Sequence, residues 1–427
     1  MDNRSGIISF NEAFKKYEGA RTFTIMLKPV GSVCNLNCAY CYYLEKKNLY
    51  PKTANFKLDE HLLEKFTQQY IREQDVNEIT FVWQGGEPGI LGIEYFKNAL
   101  VLQKKYAGSK KINNVFQTNG TYIDENWCEF FRDNNFLVGI SVDGPEKLHD
   151  YYRKTKSGNS SFHRVMKSVE LMHRHRVEFN TLSVVNNLTS AYPLEVYNFL
   201  KSIGSTFMQF IPIVERIAVA PETLQLVDNT YDKEAHVTDW SVEPIKFGHF
   251  LCSIFDEWVK KDVGQYYVQL FDVTLANWIG EPPGLCVFQE TCGMTAVMEH
   301  NGDLYSCDHF VYDKYRLGNT NITSPDELMH SKQHAEFSND KLESLPTDCH
   351  DCEFLFACHG ACPKHRFMET PNGEQGLNYL CKSYKMFFEH VTPAMNFMMN
   401  EINNNRAPAN IMNKFQFLNS EAQDKKT

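Results

Sequence analysis

Residues 23–43 read FTIMLKPVGSVCNLNCAYCYY, and this stretch decides how the rest of the chain is read. Its first eight residues, FTIMLKPV, form a short apolar run with the character of a β-strand. Cys34, Cys38 and Cys41 follow within eight residues, so three thiols at a strand end can converge on one metal centre. The odd number is informative. A closed structural zinc site takes four ligands. Three thiolates on a four-iron cluster leave one iron open to a substrate or cofactor. S-adenosylmethionine (SAM) can chelate that iron through its amino and carboxylate groups. An electron from the cluster then breaks a C–S bond and releases a 5′-deoxyadenosyl radical. A zinc site and simple buried thiols remain the competing readings.

Outward from this stretch, five more apolar runs read as strands: EITFVW, NVFQTNG, FLVGISVDG, VEFNTLSVV and FMQFIPI. Segments 58–72, 94–106, 124–134, 162–175 and 193–202 carry helical periodicity and lie between strands. Six strands with intervening helices predict an α/β fold of parallel βα units. A partial barrel and an open sheet both satisfy this pattern, and either carries its site on loops at the strand C-terminal ends. Residues 215–244 are polar and less periodic, and read as a long connection or substrate loop. Residues 245–260 and 266–279 read as helices. From residue 280 the texture changes to short elements with many cysteines. The expected division is an N-terminal extension (1–22), a first domain (23–235), a helical linker (236–280), a Cys-rich domain (281–390) and a loose tail (391–427).

The Cys34–Cys38–Cys41 spacing, followed by Tyr42 and Tyr43, resembles the radical SAM superfamily. Other strand ends fit. Gly85 and Gly86 let backbone approach a ligand closely, and Glu87 offers a charge beside them. Gln117 to Gly120 end the third strand, and Ser141 to Gly144 the fourth. The resemblance implies that Tyr40, Gly85, Gly86, Glu87, Gln117, Ser141 and Arg153 surround SAM. In it Glu87 and the glycines hold the amino group, Ser141 the ribose and Arg153 the carboxylate.

Eight further cysteines fall between residues 286 and 381, enough for two fully ligated four-iron clusters. Cys349, Cys352, Cys358 and Cys362, with Pro363 next, have a ferredoxin-like spacing in which the last Cys before Pro serves the other cluster. This logic groups Cys286, Cys292, Cys307 and Cys362 in one set, and Cys349, Cys352, Cys358 and Cys381 in the second. Two zinc sites of four thiolates each are the chemical alternative. Cys128 and Cys252 are left over inside helical patterns and read as small buried hydrophobes.

The C-terminal set is similar to the SPASM domain, the auxiliary-cluster module of radical SAM enzymes that modify peptides. The segments FVWQGGEP, QTNGTYID, FLVGISVDGP, GDLYSCDHFVYDKYRLGN and LNYLCKSYKMFFEH narrow the likeness to the anaerobic sulfatase-maturating enzymes, over about residues 23–390. That family implies a partial (β/α)6 radical SAM barrel plus a small Cys-rich SPASM domain holding two auxiliary clusters. It implies three [4Fe-4S] clusters and SAM, and oxidation of a Cys or Ser of a sulfatase to formylglycine. It puts its catalytic base at Asp308, beside Cys307. Tyr43 and Gln84 flank the SAM motifs and are expected to line the target-residue pocket. The expected partners are an unfolded or nascent sulfatase and a reductant such as flavodoxin or ferredoxin.

Bulk properties agree. With 427 residues, 43% hydrophobic and 22% charged, the chain has the make-up of a globular protein of two or three domains. A formal charge of −10 argues against a nucleic-acid partner, which needs surplus Lys and Arg. The N-terminus lacks a signal-peptide pattern, and no apolar run is long enough to span a membrane, so a cytoplasmic location is expected. In that reducing compartment thirteen cysteines point to metal or catalysis rather than disulfides. The rivals are another SPASM peptide maturase, forming thioethers or crosslinks, and a non-catalytic zinc-binding or electron-transfer protein. The first often carries a separate N-terminal peptide-binding domain, for which residues 1–22 leave little room.

Overall fold

Strand β1 (Thr24–Lys28) buries Ile25 and Leu27 with half-buried residues between them, and β2 (Glu78–Trp83) does the same with Ile79, Phe81 and Trp83. This two-residue alternation lets a strand pack one face against a core while pairing edge to edge. The computed structural model describes residues 22–219, 225–231 and 233–414. Most of the N-terminal extension and the end of the tail therefore lie outside the described residues.

The other strands are β3 (Lys111–Thr118), β4 (Leu137–Ser141), β5 (Phe179–Val185), β6 (Phe207–Pro212), β7 (Arg216–Ala218), β8 (Leu226–Val227), β9 (Ala235–Val237), β10 (Tyr267–Val268), β11 (Thr295–Glu299), β12 (Asp303–Tyr305), β13 (Arg316–Asn319), β14 (Arg366–Glu369) and β15 (Gln375–Asn378). The helices are α1 (Glu60–Arg72), α2 (Ile93–Tyr106), α3 (Glu125–Asp133), α4 (Glu146–Tyr152), α5 (Phe162–His175), α6 (Pro193–Ser202), α7 (Pro244–Lys261), α8 (Gln269–Trp278), α9 (Pro325–Met329), α10 (Lys332–Glu343), α11 (Thr347–His350), α12 (Leu355–Cys358) and α13 (Cys381–Asn403). The six strands and seven helices expected from sequence all form.

The chain divides into two compact units that are not continuous in sequence. The first comprises residues up to 33, 51–115 and 290–344. In it β1 pairs in parallel with β2 on one side and with β11 on the other, Thr24 opposite Thr295 through Lys28 opposite Glu299. Strands β12 and β13 extend the sheet antiparallel. Helix α1 starts where the Asp59 side chain accepts the Leu62 N–H at 2.9 Å, which satisfies a donor the helix itself leaves open. It buries Leu62, Leu63, Phe66 and Tyr70.

The second unit comprises residues 34–50, 116–289 and 345 onward. Strands β4, β5, β6 and β10 are parallel neighbours in that order. Their C-terminal ends carry the loops that matter chemically. Asp124 caps α3 by accepting the Trp127 N–H at 3.0 Å. Trp127 and Phe131 then pack on Phe116 at ring distances of 5.5 and 5.2 Å. Each such buried aromatic side chain contributes about 2 kcal/mol through lost apolar surface.

Three details differ from the sequence reading. The stretch read as a loop at 215–244 holds a small antiparallel sheet in the order β8-β7-β9. Helix α7, in the expected linker, is core: Phe247 meets Tyr384 at 6.1 Å, and Phe255 meets Phe387 at 6.2 Å. Residues 391–403, assigned to a tail, are the second half of α13, which runs on through Pro393 because Val391, Met395 and Met398 are fully buried on one face. Among the described residues no helix is long and apolar enough to cross a membrane.

Candidate active site

In the second unit, backbone hydrogen bonds hold the cysteine loop. The Cys41 N–H donates to the Cys38 carbonyl at 3.0 Å, Asn37 N–H to the Lys154 carbonyl at 2.8 Å, and Ala39 N–H to the Tyr152 carbonyl at 3.2 Å. Cys34, Cys38 and Cys41 are all partly exposed. The Asn119 amide reaches the Cys34 sulfur at 3.6 Å and the Asn35 carbonyl oxygen of the side chain at 2.8 Å. Burial pushes the Cys38 thiol up to about 12, with the Arg153 charge pulling the other way. Metal ligation reverses such a shift, because a coordinated thiol is deprotonated outright.

Behind the loop lies a buried polar triad. The Tyr40 hydroxyl donates to Asp143 at 2.5 Å, and Arg153 Nη1 donates to the Tyr40 oxygen at 2.9 Å. The other Asp143 oxygen accepts the Val184 N–H at 3.0 Å. Burial raises the Asp143 carboxyl, and the Arg153 charge opposes it. The same burial, together with the charge of Arg153, holds His149 neutral; His149 lies 3.1 Å from Ser161, whose hydroxyl donates to the Arg153 carbonyl. Arg153 Nε has no acceptor among the described residues. A buried donor left unmet costs about 1–3 kcal/mol, so this nitrogen marks a place for an anionic group.

At the ends of β3 and β4, Gln117 Nε2 lies 3.3 Å from Ser141 Oγ. A Cβ on Gly139 would stand 2.0 Å from Gln117 Oε1, so the glycine makes room for that side chain. Tyr43 is buried and meets Tyr42 edge-on at 5.8 Å. Lys364 lies 4.4 Å over the Tyr42 ring and pairs with buried Glu215.

The second unit also contains a cavity of about 480 Å³ onto which Cys349, Cys352, Cys358 and Cys381 all open, floored by Tyr384 and Phe388. Burial and then the neighbouring thiols Cys381, Cys349 and Cys352 push Cys358 up to about 12. Burial and then Cys381 push Cys349 to about 11. These four are the set grouped from spacing alone. Among the described residues no three His, Cys, Asp or Glu side chains are placed to hold a single metal ion. Cys362 heads the turn Pro363–His365, and Cys286 is exposed in the turn Cys286–Phe288. Cys292 and Cys307, grouped with them from sequence, belong to the first unit.

In the first unit, the Gly86 N–H donates to the Gly31 carbonyl at 2.7 Å and Glu87 N–H to the Val33 carbonyl at 2.8 Å. Gly85 adopts φ of +139°, a region that favours glycine. A Cβ on Gly86 would stand 1.9 Å from the Val33 carbonyl oxygen. The close approach anticipated from these glycines is thus made by the chain itself, at the residues just before Cys34. Gly86→Ala should lower stability by about 3 kcal/mol; an unchanged unfolding midpoint in denaturant would contradict this packing. Glu87 is buried and accepts the Gly89 N–H at 2.9 Å, while Gln84 is half-buried with its N–H on the Leu27 carbonyl.

Asp308 opens the turn Asp308–Phe310 directly after Cys307, whose sulfur is 3.9 Å from its carboxylate. Lys28 Nζ is 3.7 Å from the other carboxylate oxygen, and the Lys28 side chain is 1% exposed. Sequence reading passed over Lys28; its one signal is a lysine at an inward position of an otherwise apolar strand.

Residues 29–200 match the Radical SAM superfamily, and residues 286–353 match the iron–sulfur cluster-binding SPASM domain. Over 393 residues the chain is 51% identical to a serine-type anaerobic sulfatase-maturating enzyme of Bacteroides thetaiotaomicron, covering 92% of this chain and 95% of that protein. It belongs to the anaerobic sulfatase-maturating enzymes. A cysteine-type relative from Clostridium perfringens is 33% identical, covering 89% of this chain and 99% of that one. The solved structure of native anSMEcpe with bound AdoMet and Cp18Cys peptide superposes with a TM-score of 0.78 at 31% identity, covering 90% of this chain and all of that one. The radical SAM and SPASM domains, the [4Fe-4S] clusters and SAM are therefore features of this chain, and its activity as an anaerobic sulfatase-maturating enzyme is oxidation of Ser or Cys to formylglycine. The residues fit those groups: three cysteines on one loop, four on one cavity, and an unmet buried Arg153 nitrogen.

Cys128 and Cys252 are buried within α3 and α7. Replacing both by Ala should leave iron content and activity intact, at a cost of about 1 kcal/mol in packing. Loss of a cluster in that double variant would show that the ligand sets are drawn wrongly.

Proposed function

We propose that Cys34, Cys38 and Cys41 hold the cluster that binds SAM, that Cys349, Cys352, Cys358 and Cys381 hold one auxiliary cluster, and that Cys286, Cys292, Cys307 and Cys362 hold the other. Tyr40, Gly85, Gly86, Glu87, Gln117, Ser141 and Arg153 form the SAM pocket in this reading, and Tyr43 and Gln84 border the target residue. When bound, SAM and the first cluster supply the radical that takes a hydrogen atom from the target Cβ, and an auxiliary cluster supplies the sink for the remaining electron. Asp308 takes the thiol or hydroxyl proton of the target. Lys28, an ammonium 3.7 Å away, fixes the carboxylate that receives it. Loss of one hydrogen atom, one proton and one electron gives an aldehyde from Ser. From Cys it gives a thioaldehyde, and water then replaces its sulfur.

The observation that supports this reading most is Asp308 itself: a carboxylate next to Cys307 in sequence and faced by a buried lysine. The substrate is an unfolded or nascent sulfatase chain, in keeping with the peptide bound to the solved relative. A flavodoxin or ferredoxin supplies electrons in the cytoplasm, with no nucleic acid or membrane involved. A sulfatase peptide deuterated at the target Cβ tests the first step. Deuterium should appear in the 5′-deoxyadenosine released; unlabelled deoxyadenosine from a converted peptide would rule that step out.

A further inference from the structure

The first cluster must receive an electron before it can cleave SAM, and the second unit presents a face suited to a donor. We propose that the basic surface formed by residues 154–160 and the first turns of α5 docks an acidic one-electron carrier protein. The proposal rests on the radical SAM reading above.

Lys154, Lys156, Arg164 and Lys167 are all exposed here. The neighbouring acids are already engaged: Glu146 with His163, Glu170 with Arg174, and Asp150 with Ser160 Oγ and the N–H groups of Ser161 and Phe162. The four cations make no ion pair among the described residues. Arg164 and Lys167, three apart on α5, share a helix face. Lys156 and Arg164 flank an open hollow of about 360 Å³ whose other walls include Asn35, Thr121 and Asn159.

This face is bonded directly to the cysteine loop. Leu36 bridges to Thr155, and the Asn37 N–H donates to the Lys154 carbonyl at 2.8 Å. Asn35, in the wall of the hollow, donates to Thr121 at 2.7 Å and accepts from Asn119, whose amide also touches the Cys34 sulfur. A donor seated on the hollow is thus one residue from a thiol of the first loop. On a chain of net charge −10, an acidic protein is repelled in general and needs such a local cationic patch to be steered in. Flavodoxins, as acidic flavin proteins, meet this description. The anionic flavin hydroquinone gives up one electron and becomes the neutral semiquinone, no proton moves, and the cluster gains that one electron.

The test uses the full-length reconstituted enzyme and reads 5′-deoxyadenosine formed with a sulfatase peptide. Electrons come either from reduced flavodoxin or from dithionite. The Lys156→Glu/Arg164→Glu variant should lose about 10-fold or more of the flavodoxin-driven rate at low salt. Its dithionite-driven rate and its KM for the peptide should match wild type. The wild-type flavodoxin rate should fall as salt rises, and the variant's should not. A control, Lys97→Glu/Lys104→Glu on the outer face of α2, makes the same change in net charge and should keep most of the flavodoxin rate. An unchanged flavodoxin rate in the first variant overturns the proposal, as does an equal fall with dithionite or a raised peptide KM, which would make this face a substrate site. A wild-type enzyme inactive even with dithionite would instead overturn the radical SAM reading on which the proposal stands.

Discussion

Cys34→Ala/Cys38→Ala/Cys41→Ala should reduce iron from about twelve atoms per chain to about eight and abolish SAM cleavage altogether. The count follows from three four-iron clusters of which only the first uses this loop. The loop is held by backbone hydrogen bonds to Tyr152 and Lys154, none of which needs a thiol. The variant should therefore fold, keep both auxiliary clusters and remain brown. Loss of SAM cleavage with about eight irons retained separates the first cluster from the others. A wild-type content near four would contradict the auxiliary clusters, and a variant that still cleaves SAM would contradict the assignment of this loop.

Asp308→Asn should uncouple the reaction. Asn keeps the shape of Asp but cannot accept the proton. Formylglycine should fall by about 100-fold or more, within the range for loss of a general base. The SAM motifs lie elsewhere in the sequence, so peptide-dependent release of 5′-deoxyadenosine should continue. The substitution also weakens the pairing with Lys28, so iron content and unfolding midpoint are measured first. A folding defect or a lost cluster lowers both products together, whereas loss of the base lowers only one. Equal loss of both with clusters intact would point to a binding role. Unchanged formylglycine would remove Asp308 from the mechanism.

Local pattern carried much of this far. Helices α5 and α6 begin and end where their periodicity does, and strands β1 to β6 each follow an apolar run. The Cys–Pro step sets Cys362 apart from Cys349, Cys352, Cys358 and Cys381, and these four open onto one cavity. What escaped reading depends on distant partners. Strand β11 joins β1 in parallel across about 270 residues of chain, and no local signal specifies that pairing. Strands β7 to β9 have two or three residues each, too few for alternation to register. Lys28 carried no assignment from sequence, and only the fold sets it beside Asp308. The Arg153 triad joins Tyr40, Asp143 and Arg153 over 113 positions, so its burial and its unmet nitrogen appear only in three dimensions. Residues 391–403 fell in the expected tail, yet the buried row Val391, Met395 and Met398 carries α13 through Pro393.

The most direct measurement is mass spectrometry of a sulfatase peptide after anaerobic incubation with the reconstituted enzyme, SAM and reductant. A Ser peptide should become lighter by two hydrogens, and a Cys peptide should also exchange its sulfur for oxygen. Both products should react as aldehydes with a hydrazine. A product that has lost two hydrogens but keeps its sulfur and gives no hydrazone, or a peptide left unchanged while SAM is cleaved, would contradict formylglycine formation by this enzyme.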